Sequence, residues 1–124
     1  VGNVHAIAHQ LGARYGIPHG QANALALPHV LKACLSEAET ALAELAVVTN
    51  VSDAASPAAR AQAFVEAVQE LIAKVGIAET DPRIQPADWT VLAHAAMDES
   101  DGYVSPRLLT KPEIMDTLER ITAR

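Results

Sequence analysis

Signals that begin or end an α-helix recur along the whole chain, and the residues between them carry apolar side chains at helical spacing. Gly16 followed by Pro18 is a stop signal, because glycine is favoured just after a last turn and proline cannot continue the helix. Ser56 with Pro57 is a start signal. No segment has the alternating pattern of a strand. The sequence therefore predicts an all-α bundle of about five to six helices.

Two further features fix the predicted helix bounds. Ser36 with Glu39, and Thr110 with Glu113, are capping boxes that predict the starts of the third and last helices. The second helix is apolar on every side, which predicts burial all round, and Pro28 should kink it. The predicted ranges are 3–15, 18–35, 36–49, 57–75, 86–97 and 110–121.

Composition limits both the core and the partners. Aromatic residues are only 3% of the 124 residues, so the core has to be built from small aliphatic side chains, which suit closely packed helices. A formal charge of -6 without a basic stripe argues against nucleic acid and anionic membranes as partners. Cys34 is the only cysteine, which fits an inert packing residue in a reducing, cytoplasmic setting. No apolar run is long enough for a membrane span.

The histidines are concentrated near the start of the chain. His5 and His9 are spaced i, i+4 on the first predicted helix, which places their Cβ atoms about 6 Å apart on one face. Such a pair is compatible with two metal ligands and equally with two ordinary surface histidines, since two nitrogens alone seldom hold a metal. His19 follows the predicted helix break, where a reversing chain can bring it back opposite His5. Three converging imidazoles predict a partial metal site.

The same segments resemble the signature of the iron-containing (group III) alcohol dehydrogenases. The motif consists of VHAIAHQLG from Val4, PHGQANA from Pro18 and LPHV from Leu27, and the resemblance continues more weakly to the end of the chain. It implies the C-terminal helical domain of that family. It also implies an NAD(P)-linked oxidation of an alcohol, or reduction of an aldehyde or ketone, assisted by Fe²⁺ or Zn²⁺.

The resemblance assigns roles to individual histidines. His5 and His19 match the family's two metal-binding histidines. His9 matches a histidine beside the metal and the nicotinamide, which implies catalytic and cofactor contacts for it rather than metal ligation. This differs from the spacing argument, which favours His5 and His9 as the ligand pair. His29, after the predicted kink, is expected to be a buried, hydrogen-bonded histidine.

One departure from the family pattern is the absence of its D-x3-H element, which supplies the other two metal ligands, and of its dinucleotide-binding half. We therefore expect residues 1–124 to be a single helical domain from a longer protein, inactive and with weak or no metal binding alone. The docking face should be apolar, which predicts self-association as a homo-oligomer.

Other interpretations stay open from the sequence. A keto acid reductase resembling maleylacetate reductase would keep the family and change the substrate. A helical interaction module without catalysis would keep only the fold. The loop from Asp98 to Arg107 either faces a substrate cleft or is a solvated acidic turn.

Overall fold

The computed structural model describes all 124 residues and consists of α-helices joined by turns and loops. No strand is present, and an isolated bridge between Asp81 and Thr122 is the only β contact. The all-α prediction is therefore confirmed. No helix combines the length and the apolar character needed to cross a membrane. The helices are α1 Asn3–Tyr15, α2 His19–Ala33, α3 Glu39–Val48, α4 Pro57–Lys74, α5 Trp89–Ser100 and α6 Lys111–Ile121, with a short 3₁₀ turn at Pro86–Asp88.

Two hydrophobic cores hold the helices together. In the main core α1 packs between α2 and α5, and α5 also contacts α6. Ile7, Leu11 and Leu118 are almost fully buried there, and six of the eighteen buried residues of this core are alanines. The smaller core joins α3 to α4 through Leu42 and Val65. Small aliphatic residues thus form both cores, as the low aromatic content predicts.

Most helix ends lie within two residues of the predicted bounds, but α3 begins three residues later than predicted, and α5 both begins and ends three residues later, after the 3₁₀ turn. The Thr110–Glu113 capping box forms, and Ser56 accepts a hydrogen bond from the backbone N–H of Ala59. The capping box predicted at Ser36 is wrong, because α3 begins at Glu39 without any side-chain cap. The preceding residues instead continue in turns from the end of α2, with the N–H of Ala38 donating to the carbonyl of Cys34.

The second helix is less buried than predicted. Leu25 and Val30 are buried, whereas Leu27 is partly exposed and Lys32 is exposed. The helix therefore has an outer face. It continues through Pro28, which is buried, and the kink there stays a prediction.

Arg107 joins three parts of the fold. Its guanidinium makes two 2.7 Å hydrogen bonds to the Glu113 carboxylate of α6. It also donates to the carbonyl of Ala33 at the end of α2 and to Glu37 in the following turn. A planar guanidinium suits this arrangement because it offers several donors in fixed directions. The loop before α6 is thereby fixed to α2.

Asn3 fixes the start of α1 to the same loop. Its side-chain amide donates to the carbonyl of Arg107 at 2.7 Å and accepts from the N–H of Leu109 at 3.1 Å. Asn3 is only 7% exposed, so both bonds are shielded from water. A buried amide with both partners satisfied specifies the position of the segment it binds.

We expect the Glu113–Arg107 pair to make stability dependent on pH. The Arg107 hydrogen bonds lower the pKa of Glu113 from 4.5 to about 2. The stabilisation is therefore present above pH 4.5 and is lost as the pH falls towards 2. Because the Glu113 side chain is 29% exposed, solvent screening reduces the effect, and E113Q should lower the free energy of unfolding by about 1 to 2 kcal/mol at pH 7.

Urea unfolding at pH 7 and pH 3 tests this expectation. The difference in free energy of unfolding between wild type and E113Q should be smaller at pH 3 than at pH 7. E70Q is the matched control, because Glu70 is an exposed residue of α4. If E113Q lowered the free energy of unfolding equally at both pH values, the stabilising role assigned to the Glu113–Arg107 pair would be contradicted.

Candidate metal centre

A sharp reversal of the chain between α1 and α2 brings the side chains of His5, His9 and His19 together. Gly16 adopts a left-handed conformation with φ of 67° and donates its N–H to the carbonyl of Gly12, which ends α1. Ile17 then enters the core with only 2% of its surface exposed, and Pro18 precedes the first residue of α2. His19 is therefore the opening residue of a helix that runs back along α1.

The three imidazoles form a nearly equilateral triangle. The ring centroids are 5.7 Å apart for His5 and His9, 5.4 Å for His5 and His19, and 5.6 Å for His9 and His19. The rings of His9 and His19 are close to parallel, whereas the ring of His5 is tilted by 73° to that of His9. The predicted convergence of the three rings is confirmed.

Two of the ring nitrogens already have protein partners. His9 Nδ1 lies 2.8 Å from Oε2 of Glu99, which belongs to α5. His19 Nε2 lies 3.0 Å from the side-chain amide of Asn23, one turn further along α2. The Oδ1 atom of Asn23 is buried without any hydrogen-bond partner. The amide of Asn23 is thus incompletely satisfied beside the cluster.

Partial burial favours the neutral form of His5. Desolvation lowers the pKa of His5, and the amino terminus, His19 and His9 lower it further, against an opposing effect of Glu99. A neutral imidazole has a free nitrogen lone pair, which is the form that binds a metal ion.

The donor set fits a divalent cation in part. Imidazole nitrogen is a common ligand for Fe²⁺ and Zn²⁺, and His5 and His19 supply two such groups near one point. No group of three or more His, Cys, Asp or Glu side chains in the chain is arranged to hold an ion. A catalytic site of this kind usually has at least three protein ligands. The residues present therefore fit one part of a larger ligand set.

The other candidate residues lie away from the cluster. His29 is half-buried rather than buried, and desolvation lowers its pKa. Cys34 is buried beside the carbonyl of Arg107, and burial raises the pKa of its thiol, which agrees with an inert packing role. Asp98 to Ser100, predicted as part of a loop, belong to α5. The loop that follows contributes Tyr103 to the cluster's surroundings, because its hydroxyl donates to Glu99 at 3.0 Å.

Sequence reasoning missed Glu99 and Tyr103 as neighbours of the histidine cluster. Glu99 lies 90 residues from His9 in the chain, so no local spacing connects them. Asn23, in contrast, belongs to the motif that carries the resemblance, which implies a geometric role for it, and it lies four residues from His19 on the same helix.

The fold and the site together define a class of protein: a helical domain in which the turn between two helices brings three imidazoles together. The sequence matches the Fe-containing alcohol dehydrogenase family, C-terminal part, over residues 1–122. The chain therefore belongs to the iron-containing alcohol dehydrogenase family, as the C-terminal domain.

Curated relatives agree with this assignment. The chain is 34% identical to 1,3-propanediol dehydrogenase of Citrobacter freundii over 119 residues, which are 94% of this chain and 31% of that protein. It is 36% identical to lactaldehyde reductase of Escherichia coli K12 over 119 residues, again 94% of this chain and 31% of that protein. The chain thus spans about a third of the length of these relatives.

Solved structures have the same fold. A crystal structure of 1,3-propanediol oxidoreductase superposes with a TM-score of 0.90 at 30% identity, covering 98% of this chain and 32% of that one. An alcohol dehydrogenase from Oenococcus oeni gives a TM-score of 0.87 at 32% identity, with the same coverage.

Two glycines at the reversal provide a matched test of the turn that positions His19. A Cβ at Gly16 or at Gly20 would meet no atom within 4 Å, but only Gly16 has a positive φ. G16A should lower the free energy of unfolding by about 1 kcal/mol because of backbone strain. G20A lies in the first turn of α2 and should be neutral or stabilising by up to about 1 kcal/mol. Thermal or urea unfolding measures both, and equal effects would contradict the role given to Gly16.

Proposed function

We propose that this chain is the metal-binding part of an NAD(P)-linked dehydrogenase that interconverts a small alcohol with its aldehyde or ketone. The observation that carries the proposal is the triangle of His5, His9 and His19, formed by residues in the family's signature motif. The names of the relatives support the substrate class, since they describe dehydrogenases of propanediol and reductases of lactaldehyde.

The proposed roles follow from the chemistry of each side chain. His5 and His19 would hold the divalent ion, Fe²⁺ or Zn²⁺, together with ligands from elsewhere in the protein. When bound, such an ion polarises the oxygen of the substrate as a Lewis acid. His9 would accept the hydroxyl proton of the alcohol on oxidation and return it on reduction, beside the NAD(P) nicotinamide. The full set of three histidines favours this reaction over that of a keto acid reductase.

The proposal includes partners outside this chain. The curated relatives are about three times as long, so we infer that a dinucleotide-binding domain completes the site. A cavity of about 620 Å³ next to His5 is the surface we assign to that contact. Its lining is largely apolar and includes Val4, Leu27, Leu31 and Ile72. We also propose that the protein is located in the cytoplasm.

The complete gene product that contains this chain provides the test. H5A and H19A should each lose most of the bound iron or zinc and the NAD(P)-linked oxidation of 1,3-propanediol. H9A should keep the metal and lower kcat by about a hundredfold or more. H94A is the control, because His94 is exposed on α5 and its side-chain hydrogen bond is to Lys111 rather than to the cluster.

Three results are decisive for these assignments. Full metal content and activity in H5A and H19A would remove the proposed ligands. Loss of metal in H9A would make His9 a ligand instead. A gene product without NAD(P)-linked turnover on alcohols and aldehydes would favour the non-catalytic helical module.

The apolar cavity generates a separate expectation for the isolated 124-residue chain. With this surface uncovered, we expect copies to associate through it in solution. Sedimentation velocity over a range of concentrations should detect dimers or larger species, and L31E, which adds charge to the cavity lining, should shift the distribution towards monomer. A wild-type chain that is monomeric at every concentration would contradict the proposal.

A further inference from the structure

Three side chains, two from α1 and one from the loop after α5, meet at the Glu99 carboxylate. His9 Nδ1 lies 2.8 Å from Oε2, and the Tyr103 hydroxyl donates to the same oxygen at 3.0 Å. Gln10, the neighbour of His9 on α1, donates its side-chain amide to Oε1 at 3.1 Å. Glu99 is the only glutamate of α5, one residue before the end of that helix, and its side chain is 26% exposed. The carboxylate is thus held from both sides, and its position relative to α1 is defined.

These contacts determine which nitrogen of His9 carries a proton. An ionised carboxylate only accepts hydrogen bonds, so the 2.8 Å contact requires a proton on His9 Nδ1. In neutral imidazole the other nitrogen, Nε2, then has the free lone pair. A histidine in water exchanges freely between its two tautomers, whereas a fixed carboxylate selects one of them.

We propose that Glu99 is a positioning residue for His9, which holds the imidazole in the Nδ1–H tautomer and keeps Nε2 available as the proton acceptor. This inference rests on the proposed function in one respect, namely that His9 exchanges a proton with the substrate. The geometry at Glu99 does not depend on that function.

The consequence for the reaction is a defined path for one proton. During alcohol oxidation the hydroxyl proton would move from the substrate oxygen to Nε2 of His9, while the hydride leaves for the nicotinamide of NAD(P). The imidazolium that forms keeps its Nδ1–H bonded to Glu99, whose negative charge offsets the new positive charge. Reduction of the aldehyde follows the same path in reverse, and Glu99 itself exchanges no proton.

The loop after α5 keeps the carboxylate in place. Gly102 adopts a φ of 86°, in the left-handed region that favours glycine, and the N–H of Tyr103 then donates to the carbonyl of Ser100. This turn brings the phenol of Tyr103 back onto Glu99. The loop after α5 is therefore connected to His9 through the Glu99 carboxylate.

NMR on this 124-residue chain tests the inference without any metal or cofactor. Long-range ¹H–¹⁵N correlation spectra identify the tautomer of each histidine ring at a pH where the ring is neutral. We expect wild-type His9 to be in the Nδ1–H form, and E99A to shift it to a mixture or to the Nε2–H form. D98N is the matched control, because Asp98 is exposed and adjacent to Glu99 on α5. D98N and Y103F, which both retain the Glu99 carboxylate, should keep the wild-type tautomer.

Either of two results would overturn the inference. The first is a wild-type His9 that is already mixed or in the Nε2–H form, and this measurement stands even if E99A does not fold. The second is a folded E99A, judged by its circular dichroism, that keeps the Nδ1–H form.

The complete gene product separates this inference from the proposed function. If both are right, E99A should lower kcat by about tenfold to a hundredfold with the metal content and KM unchanged, whereas D98N leaves all three unchanged. An Nδ1–H tautomer that depends on Glu99, in a protein with no dehydrogenase activity, would support the positioning and reject the proposed function. Unchanged kcat in an active E99A enzyme would reject the positioning role alone.

Discussion

The packing of α1 against α2 is the constraint on which the site depends. Ile7 and Leu11 of α1 and Ala22 and Ala26 of α2 belong to the same hydrophobic core, and all four are almost completely buried. Alanine lets two helix backbones approach closely, because its methyl group adds little bulk. The side chains at the start of α2 consequently reach the face of α1 that carries the histidine pair, and the imidazole triangle results.

Polar contacts at its start, middle and end hold α1 in a defined position. At its start, buried Asn3 bonds the backbone of the 107–109 segment. In its middle, His9 and Gln10 bond Glu99 of α5. At its end, Tyr15 and Arg14 bond Asp88, and both hydrogen bonds lower the pKa of that carboxyl group. The histidines are therefore presented by a helix restrained along its whole length.

Local sequence signals predicted the features that depend on neighbours in the chain. Glycine, proline and capping residues located the helix ends, and the i, i+4 pair with His19 predicted the cluster, because these rules operate within a few turns. The Ser36 box failed because the turns that follow α2 continue past Ser36, so that Ala38 rather than Ser36 precedes the first residue of α3. The Glu99 contact was not predictable, since it depends on how α5 packs against α1.

Direct measurement of the distances between the histidine rings tests the central claim, which is that this fold alone gathers three imidazoles. NOESY spectra of the chain with labelled histidines report ring protons closer than about 5 Å. The account predicts cross-peaks that link His5, His9 and His19 to one another, with none to His94. Folded protein in which the His19 ring gives no cross-peak to either ring of α1 would contradict it.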